Sequence, residues 1–133
     1  MRIALAQLNY TVGDFEKNVT LIRQNIVKAK ESGVDLIVFS ELCISAYPPQ
    51  DFLEFDDFIK KCCTAVAAIA MECKGIAGIV GLPVRNKKIE GKNLFNSALL
   101  LTEGRIADEI HKALLPTYDI FDEYRYFEPE RNF

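Results

Sequence analysis

Glu41 and Lys112 are the two side chains whose types and positions could do chemistry together. Glu41 closes the run DLIVFSE at residues 35–41, just past the carboxyl end of an apolar strand, where open α/β sheets place their ligands. A carboxylate in apolar surroundings there has its proton affinity raised and can act as a general base near neutral pH. Lys112 follows a second strand candidate ending at Ile110. An ammonium at such a place can hold the negative charge that develops as a carbonyl is attacked. Each residue also has a plainer use, the glutamate as a turn cap and the lysine as solvated surface. His111 is the sole histidine, has no partner in view, and reads as structural.

Two further segments bear on that pair. Residues 118–127 interleave rings with charges: Tyr118, Phe121, Asp122, Glu123, Tyr124, Arg125, Tyr126 and Phe127. Such a tail can wall a small-molecule pocket, or it can be a loop pinned to the domain by its rings; composition leaves both open. Residues 45–49 (SAYPP) form a proline-stiffened loop that would hold Tyr47 beside Glu41.

The elements that must position these groups follow from periodicity. Residues 2–8 read as a short strand, and Asp14 after Gly13 is placed to cap a helix. Val19, Ile22, Ile26 and Ala29 then recur at helical steps, and Gly33 ends the helix. Leu36–Phe39 is apolar on both faces, as in a sheet covered on both sides. After Pro48 and Pro49, Phe52, Phe55, Ile59, Cys62, Val66, Ile69 and Cys73 keep a 3-4 spacing that predicts one long helix ending at Gly75. Strands are expected at 76–82, where glycines permit close backbone approach, and at 96–102. A tight turn at Glu103 and Gly104 leads to a half-exposed strand through Ile106, Asp108 and Ile110. Residues 86–93 form a polar connection. The order βαβαβββ predicts an α/β layered fold of one domain that mixes crossover helices with hairpin strands.

Composition sets outer bounds. The 133 residues are half hydrophobic and 26% charged, as in ordinary globular proteins. A net charge of −3 supplies no basic field, so neither nucleic acid nor an anionic membrane surface is an expected partner. No apolar run reaches spanning length, and residues 1–7 lack a signal peptide's hydrophobic core and cleavage site. A reducing cytoplasm and free thiols are therefore expected for Cys43, Cys62, Cys63 and Cys73. Cys62 and Cys73 lie on the apolar face of the long helix, as small buried hydrophobes. Four cysteines and one distant histidine make no metal-ligand pattern, so no metal is expected.

Residues 40–51 (SELCISAYPPQD) and 112–127 (KALLPTYDIFDEYRYF) resemble the nitrilase superfamily of carbon–nitrogen hydrolases. More closely, they are similar to the amino-terminal glutaminase domains of glutamine-dependent NAD synthetases. Residues 3–15 (IALAQLNYTVGDF) and 80–83 (VGLP) fit the same pattern. The resemblance spans essentially the whole chain. It implies the first half of a four-layer αββα sandwich, with 1–133 as a partial hydrolase domain. It also implies a Glu–Lys–Cys triad that hydrolyses glutamine through a thioester, the ammonia passing by a tunnel to a separate synthetase domain. There, ATP and Mg would drive amidation of nicotinic acid adenine dinucleotide (deamido-NAD) to NAD.

By motif match, Glu41 is the expected base and Lys112 the oxyanion-stabilising lysine. Tyr118, Phe121 and Tyr47 are expected near the glutamine substrate, and Glu123 is the carboxylate that would orient the lysine. No cofactor is expected in this domain, and the intact enzyme is expected to be a homo-oligomer. Ala46 departs from the family's usual glycine. The family's nucleophilic cysteine falls on a later strand, beyond Phe133, and Cys43 matches no nucleophile motif. The 133 residues alone are thus expected to be an inactive and poorly soluble piece of a larger enzyme. A stand-alone amidase and a non-catalytic interaction module are the competing expectations.

Overall fold

A computed structural model describes residues 1–88 and 90–131. Ile89, within the polar connection, and the last two residues of the expected domain lie outside it. The chain runs β1 (Ile3–Ala6), α1 (Phe15–Glu31), β2 (Leu36–Phe39), a 3-10 turn (Gln50–Glu54), α2 (Asp56–Ala70), β3 (Ala77–Arg85), β4 (Leu94–Thr102), β5 (Arg105–His111) and the short α3 (Glu123–Tyr126). The five strands form one sheet in the order β1-β2-β3-β4-β5. β1, β2 and β3 are parallel. β4 and β5 return antiparallel as hairpins. This is the mixed α/β order expected from the sequence.

Local chemistry explains most boundaries. The Asp14 side chain accepts from the Lys17 amide and caps α1. Glu16 in the first turn and Lys28 and Lys30 in the last complement the helix dipole. Glu103 and Gly104, with φ of 52° and 77°, give the β4–β5 hairpin the doubly left-handed turn that matches strand twist.

The long helix expected from Phe52 to Cys73 is in fact broken. Phe55 adopts extended backbone (φ −92°, ψ 122°) and separates the 3-10 turn from α2. Asp56 and Asp57 then open α2 in the positions that favour a helix start. Phe52 and Phe55 are exposed, whereas Ile59, Cys62, Val66 and Ile69 are buried. The 3-4 spacing of the two phenylalanines therefore continues the helical stripe in sequence but not in space. α2 ends at Ala70, although Cys73 beyond it is still fully buried.

A second difference concerns β2. Successive right-handed crossovers in one direction place α1 and α2 on the same side of the sheet. Ile37, Phe39, Val80, Leu82, Leu99 and Leu101 pack beneath them, while Leu36, Val38 and Ile79 on the opposite face stay half-buried. Leu5 and Ile110 are about 70% exposed, and β5 is exposed along nearly its whole length. A two-sided apolar strand was expected to be covered on both sides; among the described residues, helices cover only one. No helix of the described residues is long and apolar enough to cross a membrane.

The thiols sort by the same packing. Burial pushes the Cys43 and Cys62 thiols up to about 12 and the Cys73 thiol to about 11. Cys63, on the outer side of α2, is exposed. In the folded chain at pH 8, Cys63 should therefore react with a thiol reagent in a fast phase of one equivalent. The other three should react only on unfolding. Two or more fast equivalents would contradict this packing.

Candidate active site

Glu41 leaves the end of β2 on a loop, residues 40–49, that folds back over β3. This loop is mostly buried from Leu42 to Ala46, so its backbone must be satisfied internally. Ile44 donates its amide to the Gly81 carbonyl, and Gly13 donates to the Ser45 carbonyl. Asn18 in α1, wholly buried, donates its side-chain amide to the carbonyls of Ile44 and Thr11, and its oxygen accepts from the Thr11 amide. Ala46 takes a φ of 63°, the left-handed backbone in which glycine is favoured. That conformation accounts for the departure from glycine being a matter of loop strain. The loop crosses β3 at Gly81, where a side-chain Cβ would lie 2.5 Å from the Leu42 nitrogen.

Lys112 follows β5, and its amide donates to the Asn96 carbonyl on β4 at 2.8 Å. Its ammonium reaches between two carboxylates, 2.9 Å from Glu41 Oε1 and 2.9 and 3.1 Å from the two oxygens of Glu123. Glu123 opens α3 and is only 5% exposed; its Oε1 also accepts from the Tyr47 hydroxyl at 3.0 Å. Phe127, fully buried, anchors this tail by a bridge to Leu94, and the Glu128 amide donates to the Leu94 carbonyl. Partial burial of the Lys112 ammonium works against its charge, but the hydrogen bonds to Glu41 and Glu123 outweigh it and hold its pKa above the ordinary 10.5. It is a cation throughout the neutral range.

The structure thus joins Glu41, Lys112 and Glu123 in one ion-paired group. Glu41 is not in the apolar surroundings expected for it: its side chain is 46% exposed and paired. Tyr47 meets Glu123 through its hydroxyl, where the sequence placed it beside Glu41. Burial first, then the bond to Glu123, raise the Tyr47 phenol, so it stays protonated and donating. Phe121 lies 6.2 Å from the Tyr47 ring, and Tyr118 meets Phe121 edge-on at 5.7 Å. Tyr118 is 69% exposed. Of the two readings left open by composition, the pinned loop is the one seen: Phe127 anchors the tail, while Phe121 and Tyr118 continue a line of rings outward from Tyr47.

Beside the pair opens a cleft of about 280 Å³, with Ile79, Gly81, Ala98 and Ile110 on its walls and Glu41, Asn96 and Lys112 among its polar groups. No cysteine lines it. Cys43 turns its sulfur to the Gly81 carbonyl inside the protein. Among the described residues no group of three or more His, Cys, Asp or Glu side chains is arranged to hold a metal. A family model described as carbon–nitrogen hydrolase matches residues 2–132. The chain belongs to the carbon–nitrogen hydrolase family.

Relatives within carbon–nitrogen hydrolases sharpen the placement. The glutamine-dependent NAD(+) synthetase of Xanthomonas campestris pv. campestris is 40% identical over 129 residues, covering 96% of this chain and 23% of the relative. The crystal structure of a glutamine-dependent NAD(+) synthetase from Cytophaga hutchinsonii superposes with a TM-score of 0.92 at 30% identity, covering 100% of this chain and 22% of that one. An amidase from Nesterenkonia sp. AN1, solved as a double mutant of a glutamate and a cysteine in complex with acrylamide, gives 0.79 at 26% identity. There the match covers 99% of this chain and 49% of the amidase. The chain spans under a quarter of the length of the synthetases that it matches.

Two polar contacts of this carbon–nitrogen hydrolase site were not anticipated from sequence. Asn96, 4% exposed, donates its amide to Glu41 Oε1 at 2.6 Å. His111 lines the cleft with Nδ1 2.7 Å from the Ser97 hydroxyl, its ring stacked on Phe95 at 4.1 Å. The signal available for Asn96 was a polar pair, Asn96-Ser97, inside the apolar strand LFNSALLLT. Buried polar groups in a strand must have partners.

Proposed function

We propose that this chain is part of the glutaminase unit of a glutamine-dependent NAD synthetase, working on the side-chain amide of glutamine. The observation that carries this is the position of the Lys112 ammonium between Glu41 and Glu123. Glu41 is the general base: half-exposed at the cleft, it can take a proton from a nucleophile and return it to a leaving amine. Lys112, held cationic, faces the oxygen that gains charge when the amide carbon is attacked. Glu123, buried and bonded by Tyr47, orients Lys112. Tyr47, Phe121 and Tyr118 form the ring-lined approach for glutamine.

The chemistry needs a thiol, and none of the four cysteines suits it. Three are buried and protonated, and Cys63 lies away on α2. The nucleophile thus belongs to a part of the enzyme other than residues 1–133, as does the other half of the sandwich. Its thiol proton passes to Glu41 as sulfur attacks the amide carbon. The proton then moves to the departing ammonia, which leaves a glutamyl thioester. Water attacks the thioester, gives a proton to Glu41, and releases glutamate and the thiolate, which recovers that proton.

In the whole protein the ammonia would amidate deamido-NAD with ATP and Mg in a separate synthetase part. The relatives' names support that step, and the family resemblance supports a cytoplasmic, homo-oligomeric enzyme. The higher structural likeness to synthetases than to the amidase favours this reading over a stand-alone amidase.

In the full-length gene product, ammonia release from glutamine should fall by about 10²–10⁴ in Glu41→Gln, the usual contribution of a general base. Glutamine hydrolysis within a few-fold of wild type in that variant would end the assignment. Faster hydrolysis of simple aliphatic amides than of glutamine, with no NAD formed from deamido-NAD, ATP and ammonia, would favour the amidase.

A further inference from the structure

Both donors that reach Glu41 converge on one oxygen. Asn96 Nδ2 lies 2.6 Å and Lys112 Nζ 2.9 Å from Oε1, whereas Oε2 has no hydrogen-bond partner among the described residues. A carboxylate oxygen that already accepts two strong donors is the poorer proton acceptor, because protonation would have to displace one of them. The proton-carrying oxygen of the base is therefore Oε2.

Asn96 also makes a second connection. Its main-chain carbonyl accepts the Lys112 amide at 2.8 Å, one step past the β4–β5 register pair Ser97↔His111. One residue, 4% exposed and fixed in a central strand between β3 and β5, thus holds the base by its side chain and the lysine by its backbone. The 40–49 loop and the segment after β5 arrive from distant parts of the chain, and Asn96 is the shared reference that sets their separation.

We infer that Asn96 is a positioning residue for amide hydrolysis, which holds Glu41 with Oε2 turned to the reacting proton. This rests on the role proposed for Glu41. Asn96 need not touch the substrate, so its loss acts on kcat, with KM little changed.

The experiment is the separate measurement of kcat and KM for glutamine in the full-length gene product. Asn96→Asp keeps the shape but replaces a donor with a like charge. Asn96→Leu removes the donor alone. A hydrogen bond to a charged group corresponds to roughly 10–10²-fold in rate where it positions the base. Loss of the donor in Leu should therefore lower kcat by about that factor, with KM little changed. The loss in Asp should be at least as large.

Circular dichroism melts identify any variant that fails to fold, and the remaining ones still decide. A kcat unchanged in every folded donor-less variant overturns the inference, as does a loss carried by KM alone. Should Glu41→Gln itself stay active, the failure lies with the proposed base. Should Glu41→Gln be inactive while the Asn96 variants keep the wild-type kcat, only the inference about Asn96 fails.

Discussion

Replacing Lys112 with methionine is expected to lower glutamine hydrolysis by at least about 10²–10³, the usual cost of one oxyanion donor. It should also destabilise the fold by about 3 kcal/mol. The two losses have different origins. Activity depends on the charge presented to the substrate oxygen. Stability depends on Glu123, which is 5% exposed and, among the described residues, keeps only the Tyr47 hydroxyl once its cation is gone. A buried carboxylate stripped of its partner is costly, whereas removing both members of a buried pair is much less so. The side chain of Lys112 is 31% exposed, which places the cost at the lower end of the range for buried pairs.

The double variant Lys112→Met/Glu123→Gln separates the two effects. It should recover most of the stability and none of the activity, with a coupling measurable in a double-mutant cycle. Thermal or urea melts and an ammonia assay on the full-length gene product check both. A Lys112→Met protein as stable as wild type would mean that water, not lysine, satisfies Glu123. Recovery of hydrolysis in the double variant would remove the ammonium from the chemistry.

Gly81→Ala is the second large effect, and it acts through the backbone. A Cβ at Gly81 would stand 2.5 Å from the Leu42 nitrogen and 3.3 Å from both the carbonyl carbon and the Cα of Glu41. These are main-chain atoms of a buried loop, with no flexible side chain to give way. Either the loop lifts from β3 or the strand moves, and the Ile44 amide then loses its bond to the Gly81 carbonyl. Overpacking of this kind costs typically about 1–3 kcal/mol. Displacing Glu41 by about 1 Å would lower activity by roughly 10².

Gly78→Ala is the matched control in the same strand. Its Cβ would meet the Cys73 sulfur at 3.2 Å and the Ile37 side chain at 3.8 Å, so side chains can adjust. It should lose some stability and leave hydrolysis near wild type. Equal activity in Gly81→Ala and Gly78→Ala would show that the strand crossing does not set the position of Glu41.

Much of this was legible because its determinants are local. The stripe Ile22, Ile26 and Ala29, the Asp14 cap and the turn at Glu103 and Gly104 each depend on residues within a turn or two of one another. So the order of helices and strands followed from spacing alone. The motifs around Glu41 and Lys112 selected those residues and the family before any geometry was known. The helix through Phe52 and Phe55 was misread because spacing cannot register which side chains find something to bury against. Both rings are exposed, and an extended residue at Phe55 costs no packing.

The amino-acid sequence by itself determined the mixed α/β class, the family and the pair of charged residues at strand ends. Tertiary structure alone decided how those residues are used. Glu41 meets Asn96 across 55 positions and Lys112 across 71, and Tyr47 meets Glu123 across 76. Such contacts are set by strand register, by the loop crossing at Gly81 and by the burial of Phe127. No local pattern encodes these, because each partner's position depends on packing of the whole sheet. Among the described residues the same packing left one sheet face open and placed the cleft there, beside a carboxylate with one oxygen held by Asn96 and Lys112.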